Sequence, residues 1–159
     1  MKPLTYPFQP KSNAKLRPGQ FWPIALPHGG FACGMVLDIS KKSTRHFLAA
    51  LIDWHGPHEP TATDIAGRQV IDQGTGHIKM IQNAHGWITG ILPDNVAPPP
   101  ALLWKGPLVN HVRCLYRGFD LISQITEDQA KGYPSWYSWG YNVNNRRAAK
   151  HFPPSTPTA

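Results

Sequence analysis

The residues of this chain best equipped for chemistry lie close together. His55, His58 and Glu59 fall within five positions, inside Asp53-Trp54-His55-Gly56-Pro57-His58-Glu59-Pro60. Imidazole and carboxylate groups at such spacing could ligate a metal ion. However, no second His, Cys or Asp group stands at a matching ligand spacing. The Gly and Pro content also makes the segment a loop, whereas a helical H-E-x-x-H sets both imidazoles on one face. Exposed loop histidines are the simpler reading, and no metal or cofactor is expected. Cys33 could be paired with His46 or His55 as a nucleophile, yet it occupies an apolar position in an apolar run, where a thiol is inert. Asp53 and Asp64 flank the loop, and nothing in the sequence brings them together. The glycine loops G-x-x-x-x-G-K-[ST], G-x-G-x-x-G and G-x-S-x-G are absent, so nucleotide and hydrolase chemistry lack their cradles. The expectation is a protein that is not an enzyme.

Aromatic residues are the more telling excess. Six tryptophans and five tyrosines are present, and Trp136, Tyr137, Trp139 and Tyr141 crowd into six positions shortly before Arg146 and Arg147. Such a run can stack bases, at roughly 1–3 kcal/mol each, anchor a protein partner, or close one end of a small β structure. Trp54, beside Gly56-Pro57, is a further indole that a rigid loop could present. Trp54, His55, Trp136, Trp139 and Arg146 are accordingly the candidate partner contacts.

The net charge of +7 sits at the two ends. Lys2, Lys11, Lys15 and Arg17 occupy the first thirty residues, and Lys131, Arg146, Arg147 and Lys150 the last thirty-one, with no acid in either stretch. Residues 31–128 carry eight Lys/Arg against nine Asp/Glu. A nucleic-acid-binding face would concentrate its cations on a folded element, so nucleic acid is the lesser reading. Two cysteines, Cys33 and Cys114, are too few for a zinc tetrad or a disulfide framework; they are expected as buried thiols in a reducing cytoplasm. The longest apolar run, Phe47 to Ile52, has six residues, far short of a membrane span, and no apolar stretch follows Met1 as a signal peptide requires.

These residues need elements to position them. Charged residues make up only 16% of the chain, which carries 17 prolines and 14 glycines, a composition of short strands and turns rather than helical bundles. Residues 1–18 read as a Pro-rich basic arm, residues 19–150 as a single domain, and residues 151–159 as a flexible tail. A hairpin is expected from the runs around Phe21 to Leu26 and Phe31 to Ile39, with Pro23 on an edge or at a bulge. Phe47–Ile52 should be a buried strand. Val70-Ile71 and 77–81 read as strands around a Gly74-Thr75-Gly76 turn, and 87–92 as another. Further strands are expected at 102–104 and 112–116, a strand or short helix across 120–131 with a helix start near Thr126, and at most one helical turn in the tail. The fold class is mainly β, a bent antiparallel sheet or partly open small barrel of about five to seven strands with one or two short helices. Its core should include Phe21, Ile24, Leu26, Val36, Leu48, Leu51, Ile78, Ile81, Ile88 and Leu115.

The stretch from Gly19 to Leu37, with Ile24-x-Leu26-Pro27, a Gly turn, and Phe31-x-x-Gly34-x-Val36, resembles the opening hairpin of the immunity protein 26 family of bacterial polymorphic toxin systems. Asp53-Trp54, Pro60-Thr61, Asp64-Ile65, Val70 through Gln73-Gly74, His77-Ile78-Lys79 and Trp87 to Gly90 follow in an order similar to that family. The resemblance spans residues 17–95, about half of the 159. It implies a cytoplasmic antitoxin that binds a cognate toxin in the producing cell. Because immunity proteins against basic nucleases are expected to be acidic for complementarity, a +7 chain implies a toxin with an acidic face or contacts made by the neutral body. The alternative is a small β-barrel that binds nucleic acid through its basic ends and C-terminal aromatics.

Overall fold

The computed structural model describes residues 3–106 and 113–154. The fold is mainly β, as expected; among the described residues eight strands form two antiparallel sheets, of five and three strands, with four short α-helices, more of each than the five to seven strands and one or two helices expected. The sheets do not close into a barrel. The large sheet comprises β1 (Gln20–Ala25), β2 (Phe31–Ile39), β3 (His46–Gly56), β4 (Val70–His77) and β5 (Gly90–Ile91), in the order β4-β3-β2-β1-β5. The small sheet orders β6 (Leu102–Lys105), β7 (Arg113–Arg117) and β8 (Asp120–Ile125). Val112, expected to start β7, lies outside the described residues.

The central strands are buried on both faces, which is why Phe47–Ile52 reads as an unbroken apolar run. Side chains alternate across a strand. Phe47, Ala49 and Leu51 join Trp22, Ile24 and Ala32 on one face, against the helices. Leu48, Ala50, Ile52 and Trp54 join Phe21, Cys33 and Met35 on the other, against Ile65, Leu92 and Leu103. All ten expected core residues are buried. Pro23 pairs with Cys33 on the β2 side, and on its other side β1 meets β5 only at Gln20 and Phe21. The proline's missing donor therefore falls at a position where β5 does not pair.

Several local expectations are corrected. β3 runs on to Gly56, so Asp53, Trp54 and His55 are strand residues rather than loop. β4 is continuous through the expected Gly74-Thr75-Gly76 turn. Those glycines are there for packing: an added Cβ would lie 2.3 Å from the Trp139 indole at Gly74 and 2.4 Å from Met80 at Gly76. The expected strand at 77–81 gives way to helix α2 (Lys79–Ala84), whose Met80 and Ile81 pack with Ile78 on the first face. Residues 87–92 contribute only β5 and a bridge from Ile88 to Phe8. Helices α1 (Ala62–Ile65) and α3 (Glu127–Ala130) start on capping boxes, at Thr61 with Asp64 and at Thr126 with Gln129, so residues 120–131 are both strand and helix.

The ends also pack. Phe8 and Ile88 exchange backbone hydrogen bonds of 3.0 and 2.9 Å. The buried Asn13 amide donates to the carbonyls of Ser43 at 2.6 Å and His46 at 2.9 Å. Leu16 is buried beside Trp22. Isolated anchors of this kind have no periodicity and leave no mark in a Pro-rich sequence. The C-terminal end forms α4 (Val143–His151), nine residues rather than one turn. Its buried residues are Asn144 and Ala148, one helical turn apart, a stripe too polar to register as amphipathic. Phe152 beyond it is buried and stacks on His55 at 4.7 Å.

Gly74→Ala should force the Trp139 indole to shift. Overpacking of this kind costs about 1–3 kcal/mol, a fall in melting temperature of about 3–10 °C for a chain of this size. Thermal unfolding followed by tryptophan fluorescence checks it, and an unchanged melt would mean that the indole does not rest on this glycine.

Candidate functional site

The C-terminal aromatic run is drawn out along two sheet edges. The Trp104 N–H donates to the Pro134 carbonyl at 3.1 Å, and the Trp136 N–H to the Trp104 carbonyl at 2.7 Å, which lines the segment up along β6. Two residues on, the Thr75 N–H donates to the Tyr137 carbonyl at 2.9 Å and the Trp139 N–H to the Thr75 carbonyl at 2.7 Å, along β4. Residues 134–139 therefore join the small sheet to the large one. Trp139 turns inward, 3% exposed, over Gly74. Arg147, on α4, pairs with Asp72 of β4 and lies over Trp139 and Tyr137, 5.3 and 5.8 Å from their centroids.

Trp136 stands at the junction. Its indole N–H donates to the Thr75 hydroxyl, and its ring meets Tyr116 and Phe119 edge-on at 5.2 and 5.3 Å. Phe119 is itself held, its N–H donating 2.8 Å to an Asp38 carboxylate oxygen. Above these rings opens a cleft of about 320 Å³, rimmed by Ser40, Lys41 and Lys42 of the β2–β3 turn and by Lys105 at the end of β6. Lys105 lies 5.8 Å from the Trp136 centroid. Lys41 meets Asp120 at 3.5 Å, with both side chains exposed, a pairing of little energetic weight. Among the described residues, Lys42 has no carboxylate partner. The cleft joins an aromatic floor to a cationic rim, an arrangement that suits an anionic group carried on an apolar or planar body.

The residues singled out from sequence separate. Trp54 is buried, 8% exposed, on the second core face. His55 is exposed on β3 and covered on its ring by Phe152. Trp136 is half-buried at the cleft, Trp139 is core, and Arg146 is exposed on α4. Only Trp136 of the five lines the cleft. The His58–Glu59 loop divides its groups: His58 Nδ1 lies 2.8 Å from the Glu59 carbonyl, and the Glu59 carboxylate meets His85 at 2.7 Å. Asp64 caps α1, and the Thr61 N–H and hydroxyl hold its carboxyl below the usual range. No group of three or more His, Cys, Asp or Glu suited to a metal occurs among the described residues. Both cysteines are free and buried, and burial drives the Cys33 thiol pKa far above its ordinary value. Cys33 points into the second core face and His55 onto the first, while His46 lies at the opposite end of β3.

Sequence reasoning passed over the cleft's other members. Lys41-Lys42 reads as an ordinary polar turn, and Lys105, Tyr116 and Phe119 come from separate strands and turns. The antiparallel pairing of β6 with β7, Trp104 opposite Leu115 and Leu103 opposite Tyr116, and the joining of the small sheet to the large one gather them.

The chain matches no family model, no curated protein and no solved structure. No helix among the described residues is long and apolar enough to cross a membrane.

Beside the β2–β3 turn, His46 and His77 face each other across β3 and β4 with ring centroids 5.4 Å apart. Burial, then His46, Lys79 and Arg45, hold His77 below its ordinary value of 6.5. The unfolded chain therefore takes up a proton at a higher pH than the folded chain does. This contribution leaves stability intact above pH 6.5 and erodes it as pH falls through that value. His77→Gln should flatten the fall in melting temperature between pH 7.5 and pH 5.5; an equally steep fall in the variant would place the acid-sensitive group elsewhere.

Proposed function

We propose that this chain is a non-enzymatic binding protein of the immunity type, which neutralises a partner toxin by seating an acidic segment of it in the cleft between the two sheets. The observation that carries this reading is the cleft itself: Lys41, Lys42 and Lys105 stand around the half-buried Trp136. A tryptophan is among the residue types in which interface hot spots are enriched. Lysines on the rim steer an acidic partner and set its orientation. The sequence resemblance to immunity protein 26 supplies the class of partner, and the cleft's charge agrees with a toxin that presents an acidic face. Trp54 and Trp139 leave the contact set because both are buried.

A second reading keeps the same residues. A base stacked on Trp136, with phosphates on the lysines, is the geometry of a single-strand binder, and its affinity would fall steeply with salt.

Lys42→Glu with Lys105→Glu should lower affinity for the toxin encoded beside this chain by at least about a hundredfold, about 2.7 kcal/mol. Protection of cells expressing that toxin should be lost, with the melting temperature unchanged because both lysines are exposed. Full protection by the double variant overturns the cleft as the toxin-binding surface. Tight, salt-sensitive binding of oligothymidine without toxin binding favours the second reading.

A further inference from the structure

The cationic rim continues past the cleft. Ser43 follows Lys42 in the β2–β3 turn, and its hydroxyl lies 2.7 Å from His46 Nδ1. His46 opens β3 and His77 closes β4, paired in register with their rings edge to face at 5.4 Å. His77 meets the Tyr141 ring at 5.1 Å, and Lys79, at the start of α2, stands 5.1 Å from the same ring. The charged groups acting on His77 are His46, Lys79 and Arg45, every one a cation when protonated. Among the described residues none of these four side chains makes an ion pair. His46, Arg45 and Lys79 are exposed and His77 is half-buried, so an incoming group can reach them.

Four basic side chains drawn from the β2–β3 turn, two strands and a helix, with no carboxylate paired among them, repel one another when protonated. Burial and the neighbouring cations hold the His77 imidazole toward its uncharged form. An anion set against the pair reverses the balance: it draws a proton onto the rings, and the bound complex holds more protons than the free protein. By linkage, affinity must then rise as pH falls.

We propose that Arg45, His46, His77 and Lys79 form a second anion subsite, continuous with the cleft through the β2–β3 turn, that grips a further carboxylate of the same acidic partner segment and grips it more tightly in acid. The identity of the partner rests on the reading in the preceding section; the subsite rests on this cluster alone.

The probe is a fluorescein-labelled octa-aspartate peptide, whose carboxylates stay ionised at pH 5.5 because aspartate titrates near pH 3.9. Anisotropy titrations at pH 7.5 and 5.5, at constant ionic strength, should show wild type binding about fivefold more tightly in acid. One proton taken up with a pKa rise of about one unit supplies that gain. The imidazole proton resonances of His46 and His77 should titrate at higher pH with peptide present. His46→Gln with His77→Gln should lose the gain, binding the peptide equally at the two pH values. Lys42→Glu with Lys105→Glu should weaken binding at both pH values and keep the gain. A double histidine variant that retains the gain overturns the subsite. So do imidazole titrations of wild type that ignore the peptide, a measurement that stands even if the variant fails to fold. An eight-nucleotide oligothymidine that binds more tightly than the peptide at both pH values assigns the surface to nucleic acid and overturns the proposal. If the lysine variant binds like wild type while the histidine variant loses the gain, the cleft reading fails and the subsite survives.

Discussion

An open sheet leaves a row of unpaired N–H and C=O groups along each edge, and these must be covered or blunted. Here one segment does this for two sheets. Residues 134–136 hydrogen bond to β6 and residues 137–139 to β4, with Thr75 and Trp104 each both donating to and accepting from the segment. The rest of the C-terminal half follows from that constraint. Trp139 must turn inward, which requires Gly74 beneath it. Trp136 must stand where the sheets meet, which places its indole N–H on Thr75 and its ring beside Tyr116 and Phe119.

α4 clamps the segment from outside, through Asp72–Arg147 and the stacking of Arg147 on Trp139 and Tyr137. The clamp works against a cost. Asn144 is fully buried on α4, and among the described residues neither its amide nitrogen nor its oxygen has a hydrogen-bond partner; an unsatisfied buried polar group costs about 1–3 kcal/mol. Ala148 and Phe152, packed into the first core face, and the buried Trp139 offset it. The aromatic surplus of the sequence is thus divided: Trp22, Trp54 and Trp139 are core, and Trp136 is left at a surface where a partner can meet it.

What the sequence discloses is what local periodicity controls. Phe21 to Ile39 declares its hairpin, Phe47 to Ile52 its two-sided burial, and Thr126 its helix start, because each depends on neighbours in the chain. Gly74 and Gly76 mislead because glycine marks a turn and a close approach equally well. The choice depends on Trp139, sixty-five positions away from Gly74. His77 to Ile81 misleads because Ile78, Met80 and Ile81 suit a short helix as well as a strand. The cleft is the least legible feature. Lys42, Thr75, Lys105, Phe119 and Trp136 come from five separate stretches, and only the joining of the two sheets makes them neighbours.

That joining is also what gives the cleft a rigid floor, and so the reading of this surface as a partner-binding site depends on it. Site-resolved amide hydrogen exchange tests it most directly. The N–H groups of Thr75, Trp104, Trp136 and Trp139 should exchange as slowly as those of Leu48 to Leu51 at the centre of β3, all opening only with the whole fold. Exchange of those four at open-chain rates, with β3 still protected, would mean that the segment is not fixed to either edge and that Trp136 forms no standing floor.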